Sequence, residues 1–148
     1  MGKNKRFQPK RSSNFKRGQK TLEIKKDGLK PKKFIVFSLK YFDRTQGEST
    51  EIWEDNSILS KAINRIQGIC AMTVQDAIQS KILKVYGKEI PKGSKFKHPT
   101  YIDEEIEWAS LRIQGKERII GYIEDDFIFN IVFLDMEHGF YPSKKKNT

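Results

Sequence analysis

The sequence predicts a small α+β domain: an antiparallel sheet in β-α-α-β-β-β order, packed by two helices and preceded by a disordered basic arm. Three observations predict it. Charge is concentrated at one end, because residues 1–33 hold 13 Lys and Arg against two acids, a balance of +11 in a chain of +10. Apolar residues between Ile58 and Val85 recur at helical spacing. From Glu107 to Leu134 they alternate or run together with aromatic and β-branched types, as strands do. At 148 residues, one domain is expected.

The arm, residues 1–33, is rich in Lys, Asn, Gln and Ser and poor in large apolar residues. It cannot bury enough surface to offset the entropy of ordering, so disorder is expected. A chain of this charge seeks an anionic partner, and RNA is the first candidate. Lys10, Arg11, Lys16 and Arg17 are its expected phosphate contacts, with Phe7 and Phe15 placed to stack on bases. A solubilising, unspecific extension is the competing reading. Lys144, Lys145 and Lys146 make a second, short basic tail over residues 143–148.

The folded part, residues 34–142, opens on Phe34–Phe42, whose aromatic and branched residues predict a buried strand. Asp43–Thr50 is polar, contains Gly47 and predicts a loop. Asn56 or Ser57 can cap a helix whose stripe is Ile58, Leu59, Ala62, Ile63, Ile66 and Ile69, with Gly68 weakening or ending it. Thr73 and Asp76 resemble a capping box with Asp in place of Glu. Val74, Ala77, Ile78, Ile82 and Val85 then predict a second helix ending at Gly87. Residues 87–100 form a Pro- and Gly-bearing loop with Lys88, Lys92, Lys95, Lys97 and His98.

Strands follow. Ala109, Leu111 and Ile113 alternate with Trp108, Ser110 and Arg112. Gly115-Lys116 predicts a tight turn. Glu117–Glu124 and Phe127–Leu134 pair as a hairpin turned at Asp125-Asp126, and a short strand is expected at Gly139–Tyr141.

Composition excludes several classes. The single cysteine, Cys70, rules out an internal disulfide framework and a cysteine-only zinc site. No apolar run approaches a membrane span and no secretory signal is legible, so a cytoplasmic protein with no membrane partner is expected. Two distant histidines and no carboxylate cluster predict neither metal nor other cofactor.

The chemistry concentrates at the two ends of the last hairpin. Arg118 enters it, and Asp135, His138 and Tyr141 leave it. An antiparallel pair brings those ends together. These are residue types that phosphodiester cleavage uses. A base takes the 2′-hydroxyl proton, an acid protonates the leaving oxygen and cations hold the phosphate. His138 suits acid or base work, because imidazole titrates near neutrality. Asp135 or Glu137 could act as base or orient His138. Arg118, with Arg112 and Lys116, could clamp phosphate through the planar arginine fork. Tyr141 could stack on a base or donate a proton, Tyr122 could also stack, and Lys95, Lys97 and His98 could contact RNA from their loop. The bland readings are an Arg118 pair with Glu107 or Asp135, and Tyr141 as sheet-end packing.

In element order over residues 34–141 and in its ending, Arg118-Ile-Ile-Gly-Tyr, Phe127–Asp135 and His138-Gly-Phe-Tyr141, the chain resembles the RelE/ParE superfamily of bacterial toxins, the RelE/YoeB ribonuclease branch in particular. The resemblance implies an mRNA-cleaving, metal-independent endoribonuclease, acting on free mRNA or on the ribosome and neutralised by an antitoxin. It places Arg118 as the strand arginine and His138 and Tyr141 as the terminal pair. A non-catalytic RNA- or DNA-binding protein on the same scaffold, and a ParE-like gyrase inhibitor, are the alternatives.

Overall fold

The computed structural model describes residues 31–142, all but the first two of which belong to a compact unit that begins at Lys33. The arm's Lys10, Arg11, Lys16 and Arg17 and the 143–148 tail lie outside the described residues. The eight described elements are β1 (Val36–Ser38), α1 (Thr50–Asp55), α2 (Leu59–Ile69), α3 (Val74–Gln79), β2 (Leu83–Gly87), β3 (Trp108–Gln114), β4 (Glu117–Glu124) and β5 (Ile128–Asp135). They form an α+β fold around one five-stranded sheet of order β1-β5-β4-β3-β2.

The expected antiparallel sheet is a mixed one. The meander β2-β3-β4-β5 is antiparallel throughout, but β1 lies parallel to β5, with Val36 opposite Ile128. The three helices carry the chain from one edge of the sheet to the other before the meander returns it beside β1. The Phe34–Phe42 run contributes only three residues to this edge, and Phe34, Val36 and Leu39 are exposed.

The helical region also differs from expectation, for local reasons. Ser49 caps α1, its side chain accepting from the Ile52 amide, so a helix begins where a loop was expected. Asn56 closes α1 and Ser57 takes a left-handed φ of 60°, so neither caps α2, which starts after Ile58 and runs through Gly68. The Thr73–Asp76 capping box forms as read. The helix it starts is short. The Ser80 hydroxyl donates to Asp76 O at 2.7 Å, and Lys81 turns left-handed at φ 62°. The chain therefore leaves α3 early, and Leu83–Gly87, expected as its continuation, is strand β2.

The β3-β4-β5 part of the meander matches the sequence reading closely. Asp125 and Asp126 both have positive φ, 53° and 67°, the pair a two-residue turn between twisted strands requires. The sheet is apolar on both faces. Trp53, Ala62, Ile69, Ala77, Leu83, Leu111, Ile119 and Phe129 form the helix-side core. Phe96, Ile102, Trp108, Tyr122, Val132, Phe133 and Phe140 form a second core on the other face. The long β2–β3 connection roofs that second core through Ile90, Phe96, Ile102 and Ile106. A loop that reads as polar and basic is thus half structural, and Trp108 is fully buried beneath it, stacked on Phe133 at 5.6 Å.

One irregularity decides what reaches the outer face. Ile120 pairs with Phe133 but Gly121 pairs with Ile131, leaving Val132 as an extra residue in β5. Phe129 and Ile131 point to the helix-side core, and after the bulge Leu134 does so while Phe133 turns to the other face. Gly121 sits beside this bulge, where a Cβ would fall 1.9 Å from Asn130 O. Close strand approach, not φ, demands glycine here.

Candidate nucleic-acid interface

The face opposite the helices is apolar over the central strands and cationic toward the β2 edge. There β2 presents Lys84 and Tyr86, β3 presents Ser110 and Arg112, and β4 presents Arg118. Lys84 is registered opposite Ser110, and Arg112 directly opposite Arg118. The segment after β5 closes one side with His138, Tyr141 and Pro142, while Pro91 and Lys92 come from the roof loop. The result is an open groove of about 540 Å³, lined also by Lys81 and Ile82. Lys81, Lys84, Lys92, Arg112 and Arg118 line it, and among the described residues no Asp or Glu does.

A second cleft of about 530 Å³ adjoins it and shares Arg118, His138 and Pro142. Lys95, Lys116 and Glu137 line this side, with Lys116 paired to Glu137 at 2.8 Å in an exposed ion pair. Such a pair contributes little to stability, so Lys116 can exchange partners cheaply.

Arg118 is held at the junction. Its Nη1 donates to Gly115 O at 2.7 Å and Glu117 O at 3.1 Å. Burial pulls its pKa down, and the neighbouring Arg112 adds to that; arginine stays protonated regardless. Arg118 is registered opposite Asp135, yet among the described residues it makes no ion pair with it.

Asp135 has a different job from the acid–base role expected of it. It is buried, and its two oxygens accept from the Gly139 amide at 2.8 Å and the Phe140 amide at 2.9 Å. The loop is tied on its other side by the Lys95 amide donating to Gly139 O at 2.9 Å. These bonds make a braced turn, not the short strand expected at Gly139–Tyr141. They hold His138 at a left-handed φ of 60°, an uncommon state for a residue with a Cβ. His138 Nδ1 is buried and has no hydrogen-bond partner among the described residues. Strain and an unsatisfied polar atom at one residue are features that accumulate at functional sites.

Tyr141 lies flat on Tyr86, with ring centres 4.2 Å apart and 11° between planes. The Tyr86 hydroxyl is bonded to Ser110 Oγ at 2.9 Å, and Lys84 Nζ lies 5.2 Å and 5.7 Å from the two rings. The stack gives the groove an aromatic wall beside its cations.

The structure therefore brings Arg112, Arg118, His138 and Tyr141 to one groove and Lys95 and Lys116 to its neighbour. It separates three other residues from both. Tyr122 is buried in the second core near Tyr41, and its pKa is pushed up to about 12, first by burial and then by Tyr41. It has no face to offer a base. His98 is half-buried, hydrogen-bonded through Nε2 to Ile102 O at 3.0 Å and set edge-on to Trp108. Lys97 is exposed, and its backbone is clasped by the Gln46 side chain away from the groove. Lys81, Lys84, Tyr86, Lys92 and Ser110 are groove residues that the sequence reading does not single out, and reading Leu83–Gly87 as helix concealed Lys84 and Tyr86. The alternation of Leu83 and Val85 against Lys84 and Tyr86 is the strand signal that could have found two of them.

Among the described residues no three His, Cys, Asp or Glu side chains gather as a metal site would need, and no helix is long and apolar enough to cross a membrane. Comparison with protein-family models, curated proteins and solved structures gave no match.

Proposed function

We propose that the groove binds the sugar–phosphate backbone of RNA and that the protein is a toxin-like endoribonuclease. One observation carries this reading: five cationic side chains line a groove that no carboxylate among the described residues lines. Like charges set opposite each other on neighbouring strands, as Arg112 and Arg118 are, oppose folding. An anionic ligand would relieve that repulsion, and arginine's fork suits phosphate.

In the catalytic form of this reading, His138 takes the 2′-hydroxyl proton as O2′ bonds to phosphorus. Arg118 and Arg112 stabilise charge on the phosphoryl oxygens. The P–O5′ bond breaks, and the leaving oxygen takes a proton from the Tyr141 hydroxyl. The products are a 2′,3′-cyclic phosphate and a free 5′-hydroxyl, and water returns the His138 proton to Tyr141. This follows the roles of strand arginine and terminal His/Tyr pair that the RelE-type resemblance implies, with mRNA as substrate, on or off the ribosome, and an antitoxin as protein partner. The test is cleavage of mRNA, with and without ribosomes, by wild type and by His138→Ala. Wild type should produce cyclic-phosphate ends and His138→Ala should lose at least a hundredfold in rate. Equal cleavage by both would sink the mechanism.

A second reading is favoured by the state of Asp135. Its oxygens are occupied by backbone amides, so His138 has no carboxylate partner from that residue. The groove would then bind RNA or DNA without cutting it. Salt-sensitive binding with no cleavage products under any ribosome condition would select this reading.

A further inference from the structure

The Tyr86–Tyr141 stack is more than an incidental wall. Tyr86 is half-buried and pinned: its hydroxyl bonds Ser110, and its ring also approaches Phe140 at 6.5 Å. Tyr141 is the outer ring and is 40 % exposed. Lys84 does not cover its outer face. An amine on that face would lie farther from Tyr86 than from Tyr141, whereas Lys84 Nζ is nearer Tyr86, at 5.2 Å against 5.7 Å. The stack is thus a fixed ring backing a more exposed one, with a cation beside both and the Arg112–Arg118 pair along the same groove.

We propose that this stack is a base platform which restricts the ligand to single-stranded nucleic acid. The inference rests on the groove being a phosphate-binding site. Phosphate contacts alone cannot tell a duplex from a single strand, because both carry the same groups. A planar ring presented at the groove can do so. Bases in a duplex are already stacked and paired, while an unpaired base is free to lie on tyrosine, whatever its identity. The ligand chemistry is therefore an unpaired nucleotide within a chain: one base on Tyr141, with neighbouring phosphates on Arg112 and Arg118.

The test uses the full chain and three fluorescently labelled probes of equal length that cannot be cut: a 2′-O-methyl RNA single strand, the same strand in a duplex, and an abasic single strand. Wild type should bind the base-bearing single strand about tenfold or more tightly than the duplex or the abasic strand. Tyr141→Ala should abolish that preference, lowering affinity for the base-bearing single strand to that of the other two probes. Tyr141→Phe, which keeps the ring, should retain it. Equal binding of all three probes by wild type, or an equal loss on all three in Tyr141→Ala, would overturn the inference. Cleavage of unmodified RNA is followed in parallel. If the Tyr141-dependent preference holds and no RNA is cut, the platform stands and the nuclease reading falls. If no probe binds, both fall.

Discussion

The two faces of the sheet are built from the same strands and solve different problems. The helix side is a conventional core, closed by residues from three helices and left only at its margins with exposed apolar side chains such as Ile63 and Leu39. The other face is half core and half groove. Toward β5 it buries Trp108, Phe133 and Phe140 under the β2–β3 connection, and toward β2 the same strands carry Lys84, Arg112 and Arg118. The difference teaches where repulsion can be tolerated. Clustered cations are affordable on this face because an aromatic core anchors the strands that hold them.

The largest expected effect tests that anchoring. Trp108→Ala should cost about 3–5 kcal/mol, as large-to-small changes in packed cores do, and urea denaturation would read it as a lower midpoint. A loss below about 1 kcal/mol would show that the outer core is not what secures the groove. Asp135→Ala comes next. It strands two buried amides at once and should cost about 2–3 kcal/mol, while Asp135→Asn, which keeps one acceptor, should cost less. It should also weaken RNA binding by displacing His138, whereas His138→Ala should leave stability nearly unchanged. Equal stability of Asp135→Ala and wild type would break the assignment of Asp135 as a brace.

Arg112→Ala separates the faces in the opposite direction. It should weaken RNA binding about tenfold and lower the salt slope by about one. Stability should stay within about 0.5 kcal/mol, with any change favouring the variant, because a like-charge pair is relieved. A clear loss of stability would mean that Arg112 belongs to the core face after all.

The smallest effect concerns acid. Asp43 is buried, and burial pushes its carboxyl up, but hydrogen bonds from Thr45 and Gln46 outweigh this and leave its pKa below the ordinary 3.8. A carboxylate with a depressed folded-state pKa stabilises above its unfolded value. That contribution is lost as pH falls below about 3.8 through the folded-state value. Thermal melts of wild type between pH 5 and pH 2.5 should steepen in that window, and Asp43→Asn should flatten this part of the profile. An unchanged profile in the variant would remove Asp43 from the account.

The elements that sequence made legible are the ones settled by near neighbours. The Thr73 capping box, the Asp125-Asp126 turn and the alternation of Ala109, Leu111 and Ile113 each depend on residues a few positions apart. The errors arose where short-range signals conflicted. Ile78, Ile82 and Val85 fit a helical stripe, yet Ser80 and Lys81 end the helix and the same residues enter a strand. Half of the candidate site was similarly visible. Arg118, His138 and Tyr141 stand out because one hairpin joins their ends, while Tyr122 looked available until a distant loop covered it.

By itself, then, the sequence determined strands β3, β4 and β5, their turns, the basic imbalance and the gathering of Arg118 with His138 and Tyr141, because each follows from local backbone preference or plain charge. Only the tertiary structure decided the rest. Pairing of β2 with β3 placed Lys84 and Tyr86 beside Ser110 and Arg112. The extra residue in β5 changed which side chains reach the outer face, and folding of the β2–β3 connection sorted Tyr122 into the core, tied His98 to Ile102 O and left Tyr141 at the groove. These outcomes depend on contacts between segments tens of residues apart. Such contacts are fixed by competition for the faces of one sheet, and no short window of sequence contains that competition.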